Sequence, residues 1–247
     1  MNLIRNILGR AFALWAMIIF AGSLLIVAIP IWITAVWQEP KRTINAFYIF
    51  RAWMNFFFLF SGVRRVIKGR EHFKKGENYV VVCNHNSFMD VPLSTPAIPG
   101  PNKTIAKAEL AKIPLFGLIY KRGSILVDRS DKKSRQNSFR KMQTVLQMGM
   151  HMCIYPEGTR NKTLRPLKEF HDGAFRLAIE TGTAIIPALI FNTRKVLPAD
   201  QFYFWPAKIE LHFLAPVYIN TDENYQLIKE KIHRLMSDYY ESNLKQI

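Results

Sequence analysis

The run Cys83-Asn84-His85-Asn86-Ser87-Phe88-Met89-Asp90 sets a histidine and a carboxylate five positions apart at the end of an apolar stretch. On a helix, five positions are about 140° out of phase, so His85 and Asp90 meet only if the chain turns between them. Asn86 and Ser87 are residues that favour such a turn. A carboxylate that accepts from one imidazole nitrogen leaves the other free as a base, able to take a proton from a hydroxyl. The chemistry implied is proton transfer. Two other uses compete for the same residues. Ser87 with Asp90 matches a helix-capping signature, and Asp90 can itself begin a helix. Cys83 lies two positions from His85 on the same strand face and offers a nucleophile, although buried thiols are usually inert.

A second block, Tyr155-Pro156-Glu157-Gly158-Thr159-Arg160, closes another apolar run. Gly158 permits close backbone approach, Thr159 brings a hydroxyl and Arg160 a guanidinium fork, a set suited to phosphate. Gly123 to Arg129 places Arg129 after a third run, and Lys107 ends a fourth. Cations arriving from separate strand ends make a cationic pocket, whereas each alone reads equally as solvated surface.

The elements that must carry these residues alternate. Val63–Lys68, Tyr79–Cys83, Lys103–Lys107, Ser124–Asp128, Met152–Tyr155, Ala184–Ile190 and Lys208–Leu214 read as strands. Glu109–Tyr120, Lys132–Met150, Gly173–Glu180 and Tyr225–Tyr240 read as helices, the first of them despite Pro114. The fold class is therefore α/β, a mostly parallel sheet covered by helices on both faces. Ligands of such sheets bind beyond the carboxyl ends of the strands, where His85, Arg129 and the Glu157–Arg160 loop fall.

The N-terminus has a different character. Ala11 to Trp37 carries no charged residue, and about 20 apolar residues cross a bilayer's hydrocarbon core. Arg5 and Arg10 precede it, and Lys41 and Arg42 follow it. Positive charge at both ends favours a hairpin or a shallow re-entrant arrangement over a single oriented crossing. Phe47 to Phe60 is shorter, aromatic and interrupted by Arg51, and it reads as interfacial. The apolar run is too long for a cleaved signal peptide. We divide the chain into a membrane-associated helical segment, a membrane-binding hairpin over residues 1–62, and an α/β domain over 63–247.

Lys and Arg outnumber Asp and Glu by 34 to 18 in the 247 residues, which favours polyanions or anionic phospholipid surfaces as partners. Trp53, Phe56, Phe57 and Phe58, with Arg64, Arg65 and Lys68, suit such a surface. No nucleic-acid fingerprint supports a nucleic-acid partner, and no Gly-x-Ser-x-Gly elbow supports a lipid hydrolase. The histidines do not cluster at metal-ligand spacing, so no metal is expected. Cys83 and Cys153 read as buried thiols in a reducing setting. The sequons Asn102-Lys103-Thr104 and Asn161-Lys162-Thr163 abut candidate site residues and are discounted.

Taken in order behind a membrane-binding segment, these blocks resemble the lysophosphatidic acid acyltransferases of the glycerolipid acyltransferase superfamily. The His-x4-Asp motif corresponds to Asn84-His85 to Asp90, the second motif to Gly123–Arg129, the third to Tyr155–Arg160, and the fourth to Ile185-Ile186-Pro187-Ala188. Tyr155 stands where a phenylalanine is frequent. The resemblance covers roughly Gly69 to Pro216. It implies transfer of an acyl group from a thioester to the sn-2 hydroxyl of lysophosphatidic acid, giving phosphatidic acid, with another lysophospholipid or an amino-acid lipid as alternative acceptor. It implies His85 as general base and Asp90 as the residue fixing its tautomer. Arg160, Lys107 and Arg129 would hold the phosphate, with Lys168 adding charge, and Glu157 would order the Gly158-Thr159 loop. No bound cofactor is expected. The co-substrate is an acyl-CoA or an acyl carrier protein thioester, either of which suits the basic run Lys132, Lys133, Arg135, Arg140 and Lys141. The expected location is the inner, cytoplasmic membrane, with the catalytic domain on the cytoplasmic side.

Overall fold

The apolar runs read as strands form a single seven-stranded sheet in the computed structural model, which describes residues 3–163 and 165–244. The strands are β1 (Arg64–Lys68), β2 (Val80–Cys83), β3 (Asn102–Lys107), β4 (Ser124–Val127), β5 (His151–Ile154), β6 (Ile185–Phe191) and β7 (Lys208–Phe213). Each lies within one residue of its expected range. Their spatial order is β1-β7-β6-β2-β5-β3-β4. Every neighbouring pair is parallel except β6 with β7. Strands β2, β5 and β6 are buried at every position, which explains why they read as continuous apolar runs rather than alternating ones.

Helices cover both faces. They are α1 (Leu3–Ile33), α2 (Lys41–Phe60), α3 (Asp90–Ala97), α4 (Phe116–Gly123), α5 (Lys132–Gln147), α6 (Gly173–Thr181), α7 (Thr193–Val196) and α8 (Tyr225–Leu244). Alternate side chains of β2 divide between two cores, as the pleat requires. Val81 and Cys83 pack with Trp53 and Met54 of α2, Leu93 of α3 and Ile119 of α4. Val80 and Val82 pack with Met142 of α5, Phe175 of α6 and Ile232 of α8.

The hairpin of α1 and α2 shares the first of these cores. Trp53 Nε1 donates to Ser23 Oγ at 2.9 Å, and Trp15 Nε1 to the carbonyl of Phe60 at 3.0 Å, tying the two helices together. Gly9 lets α1 approach the 203–205 segment, because a Cβ there would lie 2.0 Å from the Tyr203 ring. The outer side of α1 stays exposed, with Ile4, Leu25, Ile26 and Trp32 each more than half accessible. The stretch Leu3–Val36 is long and apolar enough to cross a membrane, with a mean hydropathy of 2.6 in its most apolar window. The stretch Phe47–Phe60, expected to be interfacial, is the latter part of α2.

Two expectations are corrected. Glu109–Tyr120 is not one helix: a 3-10 turn spans Ala108–Lys112, and α4 begins only at Phe116. Pro114 forces Ile113 into extended backbone (φ −70°, ψ 123°), which ends the first turn. Lys132–Met150 stops at Gln147, with Gly149 in the left-handed region at φ +75°. Its start is capped as an acidic residue should, Asp131 accepting from the backbone N–H groups of Lys133 and Ser134.

Candidate active site

β2 ends at Cys83 and α3 begins at Asp90, so the intervening turn at the sheet's carboxyl edge carries His85 back over the start of the helix. His85 Nδ1 and Asp90 Oδ2 are 2.7 Å apart. Asp90 is wholly buried, and all its contacts donate to it: Asn86 N at 2.5 Å and Ser87 N at 2.8 Å reach Oδ2, and Thr193 Oγ1 reaches Oδ1 at 2.6 Å. Two backbone N–H groups, one hydroxyl and the imidazole thus converge on one buried carboxylate. With Nδ1 engaged by the carboxylate, Nε2 is the ring nitrogen left free of it. The His85 side chain remains 20% exposed, so Nε2 is reachable. Asp90 thus begins α3 and holds the imidazole at once; the two uses are compatible.

The turn is fixed from several sides. Asn84 clamps it to β6, donating to the Ile190 carbonyl at 3.0 Å and accepting from Ile190 N at 2.6 Å. Glu157 is buried and accepts from His85 N at 2.7 Å and Lys168 N at 3.1 Å. Its carboxylate therefore joins the His85 turn to the 168 segment, a wider span than the Gly158-Thr159 loop alone. Burial raises its pKa, and the two backbone donors oppose that rise. Asn161 N donates to the His85 carbonyl at 2.6 Å. The bracing role of Asn84 and the whole contribution of Thr193 were missed in the sequence. Thr193 carries no local signal, since it lies 103 residues from its carboxylate partner.

The Tyr155 ring lies against His85, centroids 4.5 Å apart, and its hydroxyl bonds Ser94 Oγ at 2.7 Å. The added hydroxyl, where phenylalanine was the frequent choice, thus has a partner on α3. Cys83 is fully buried with its Sγ 3.8 Å from Cys153 Sγ. That hydrogen bond, with burial, pushes the Cys83 thiol well up. A protonated thiol sealed in the core is a poor nucleophile, which removes the covalent alternative.

The cations behave differently from one another. Arg160 lies over the Phe88 ring, 3.6 Å from its centroid, and its Nη1 is buried with no hydrogen-bond partner among the described residues. Arg129 Nη1 donates to the Gly158 carbonyl. Gly158 sits at φ +69°, and a Cβ there would press on the His171 ring at 2.7 Å. Thr159 Oγ1 accepts from Lys168 Nζ at 2.7 Å. Lys107 ends β3 with its side chain exposed, two strands away from β2 across β5; no hydrogen bond or ion pair engages it among the described residues.

Two concavities flank the histidine turn. An apolar cavity of about 560 Å³ runs beneath the hairpin, from Phe88 and Met89 at the sheet's carboxyl edge towards Asn102 and Ser124 at the amino edge. Ala16 and Phe20 of α1 and Ala46 and Met54 of α2 form its roof. A wider groove of about 860 Å³ lies on the other face, against Tyr155 and Gly158, and is lined by Arg129, Lys132, Arg135, Arg140 and Arg176. Among the described residues no group of three or more His, Cys, Asp or Glu is arranged to hold a metal ion.

A parallel sheet presenting a His–Asp pair at its carboxyl edge, between an apolar cavity and a basic groove, is matched by the acyltransferase family model over residues 64–191. The chain belongs to the acyltransferase family. It is 30% identical over 170 residues to the 1-acyl-sn-glycerol-3-phosphate acyltransferase of Cocos nucifera, which covers 67% of this chain and 55% of that protein. It is 27% identical over 203 residues to the protein of that name from Borreliella burgdorferi, covering 82% and 75%. The chain thus spans about half the length of the first of these relatives. The crystal structure of the 1-acyl-sn-glycerophosphate acyltransferase PlsC from Thermotoga maritima superimposes with a TM-score of 0.76 over 98% of this chain and 97% of that one, at 23% identity. The two chains share the fold over that span.

Proposed function

We propose that the protein is a 1-acyl-sn-glycerol-3-phosphate O-acyltransferase, moving an acyl group from a thioester to the sn-2 hydroxyl of lysophosphatidic acid. The observation that carries this reading is His85, held 2.7 Å from buried Asp90 on the turn whose Phe88 and Met89 line an apolar cavity. The relatives that carry this name support the acceptor.

In this reading Nε2 of His85 takes the proton of the sn-2 hydroxyl as its oxygen attacks the thioester carbonyl. A C–O bond forms, the tetrahedral adduct collapses, the C–S bond breaks, and the imidazolium returns its proton to the departing thiolate. Asp90 stabilises the imidazolium and holds the tautomer throughout. The acyl chain lies in the apolar cavity, whose size falls within the usual range for small-molecule sites of about 300 to 1,000 Å³. Arg160, with an orphaned N–H beside the histidine turn, binds the acceptor's phosphate. Arg129, committed to the Gly158 carbonyl, shapes that loop, and Lys107 contributes charge from further out. The basic groove takes the phosphates of coenzyme A or the acidic surface of an acyl carrier protein. The hairpin seats the protein in the inner membrane with the catalytic domain on the cytoplasmic side.

The test is thioester consumption by the purified full chain against a panel of lysolipids and both donor types. Lysophosphatidic acid should give the highest kcat/KM, and Arg160→Ala should raise its KM about tenfold or more with a smaller change in kcat, the loss expected for one charge-assisted phosphate contact. Equal rates on lysolipids lacking a phosphate monoester, or an unaltered KM in the variant, would refute the assignment.

A further inference from the structure

Helix α2 has two working sides. One roofs the apolar cavity. The other carries Arg51, Asn55, Phe58 and Leu59, spaced to share a helix face, and with Arg65 of β1 and Arg70 of the following turn these residues line a separate cavity of about 400 Å³. Its lining contains three arginines and no carboxylate. Among the described residues none of the three guanidiniums is within ion-pair distance of an Asp or Glu.

Neutral partners hold two of them in place. Arg65 Nη1 donates to Asn55 Oδ1 at 2.9 Å, and its guanidinium stacks 4.7 Å from the Phe58 ring centroid. Arg70 Nε donates to the Ala97 carbonyl at 3.0 Å. Arg51 has no hydrogen-bond partner among the described residues. Burial and the neighbouring guanidiniums lower the pKa of both Arg65 and Arg70, the signature of like charges facing one another without a counter-charge. Three guanidiniums in one concavity, two of them fixed by neutral partners, suit a phosphate.

We propose that this pocket binds the phosphate of a membrane phospholipid headgroup, at a site distinct from the acceptor's. The rim argues for a lipid over a soluble phosphate. Leu59 is 75% exposed at the cavity edge, and Phe56 and Phe60, exposed on the same helix, continue the apolar surface towards Trp15 of α1. A phosphate seated among the arginines would leave its acyl tails lying along that surface. The site does not depend on the acyl-transfer reading, and its test reads binding rather than turnover.

The experiment is thermal unfolding of the full chain in neutral detergent, with and without short-chain phosphatidylglycerol, a diester that is neither substrate nor product of the proposed reaction. Saturating lipid should raise the wild-type Tm by about 2–4 °C or more. Arg51→Gln should fold, since both residues suit a half-buried helix position, and should lose most of that rise. Arg51→Glu, which plants a carboxylate beside Arg65 and Arg70, should raise the ligand-free Tm above wild type and abolish the lipid response. Inorganic phosphate at the same concentration should leave wild type nearly unmoved. Equal lipid-induced rises in wild type and Arg51→Gln, no rise in wild type, or a full rise with inorganic phosphate would each overturn the proposal.

Discussion

At the scale of single residues, His85 is defined by what surrounds Asp90. A carboxylate with every contact a donor cannot take up a proton without losing hydrogen bonds, so it fixes the imidazole tautomer as well as its position. His85→Ala should lower kcat by roughly 10² to 10⁴ with little change in KM, because general-base catalysis acts only in the transition state; steady-state kinetics on lysophosphatidic acid measure both. Thr193 tests the support of the pair. It donates to Asp90 Oδ1 from beyond β6, and Thr193→Val keeps the shape while removing the hydroxyl. That variant should lose about tenfold in kcat, with the lower limb of the pH–rate profile moved, because Asp90 loses a donor and the imidazolium it supports changes with it. A purely structural role would lower Tm and leave the pH profile in place.

At the scale of elements, the hairpin roofs the apolar cavity while the outer side of α1 stays exposed and apolar. α1 and α2 contribute Ala16 and Ala46 to the roof of the apolar cavity, both small and buried. Their size leaves room below, so enlarging one should shorten the chain that fits. Ala16→Leu is expected to reduce kcat/KM for long-chain thioesters by about tenfold while sparing short ones, since a methylene or two in an apolar pocket is worth roughly 10- to 200-fold; a donor chain-length series reads this directly. The seven strands were legible because their β-branched and apolar runs are short and bounded by turn residues. The hairpin's place was not, because its hydropathy predicts lipid contact equally well for a helix with one side on lipid and the other on a sheet. The 3-10 turn before α4 was misread because helical spacing of apolar residues continues across Pro114 even though the backbone does not.

At the scale of the whole molecule, stability carries a pH dependence set far from the catalytic turn. His151 on β5 is buried, accepts from Tyr79 N at Nδ1 (3.1 Å), and donates from Nε2 to the Pro99 carbonyl (3.0 Å). Protonating Nδ1 would break the Tyr79 bond inside the core, and burial pushes this imidazole down to about 4. Between the unfolded value near 6.5 and about 4, the unfolded chain binds more protons than the folded one, so stability falls as pH falls through that window. Linkage puts the full loss at roughly 3 kcal/mol. Denaturant titrations at pH 7 and pH 5 should show the midpoint dropping in wild type, and the drop should be smaller in His151→Phe. The excess of basic residues acts at this scale too: the groove beside Gly158 gathers charge from α5 and α6, which are distant in sequence and adjacent on one sheet face.

The amino-acid sequence by itself determined the strand ladder, the apolar N-terminus, the net positive charge, and the three loops in which His85, Arg129 and the Glu157–Arg160 run lie. Each is a local property, written in spacing, composition or a turn residue. Tertiary structure alone decided that Thr193 and Asn84 brace the histidine turn, that Glu157 ties it to the 168 segment, and that the hairpin closes the apolar cavity. It also decided that Arg51, Arg65 and Arg70 face one another without an acid. Those facts depend on which strand neighbours which and which side of a helix meets the sheet, and contacts spanning more than a hundred residues leave no periodic trace in the chain.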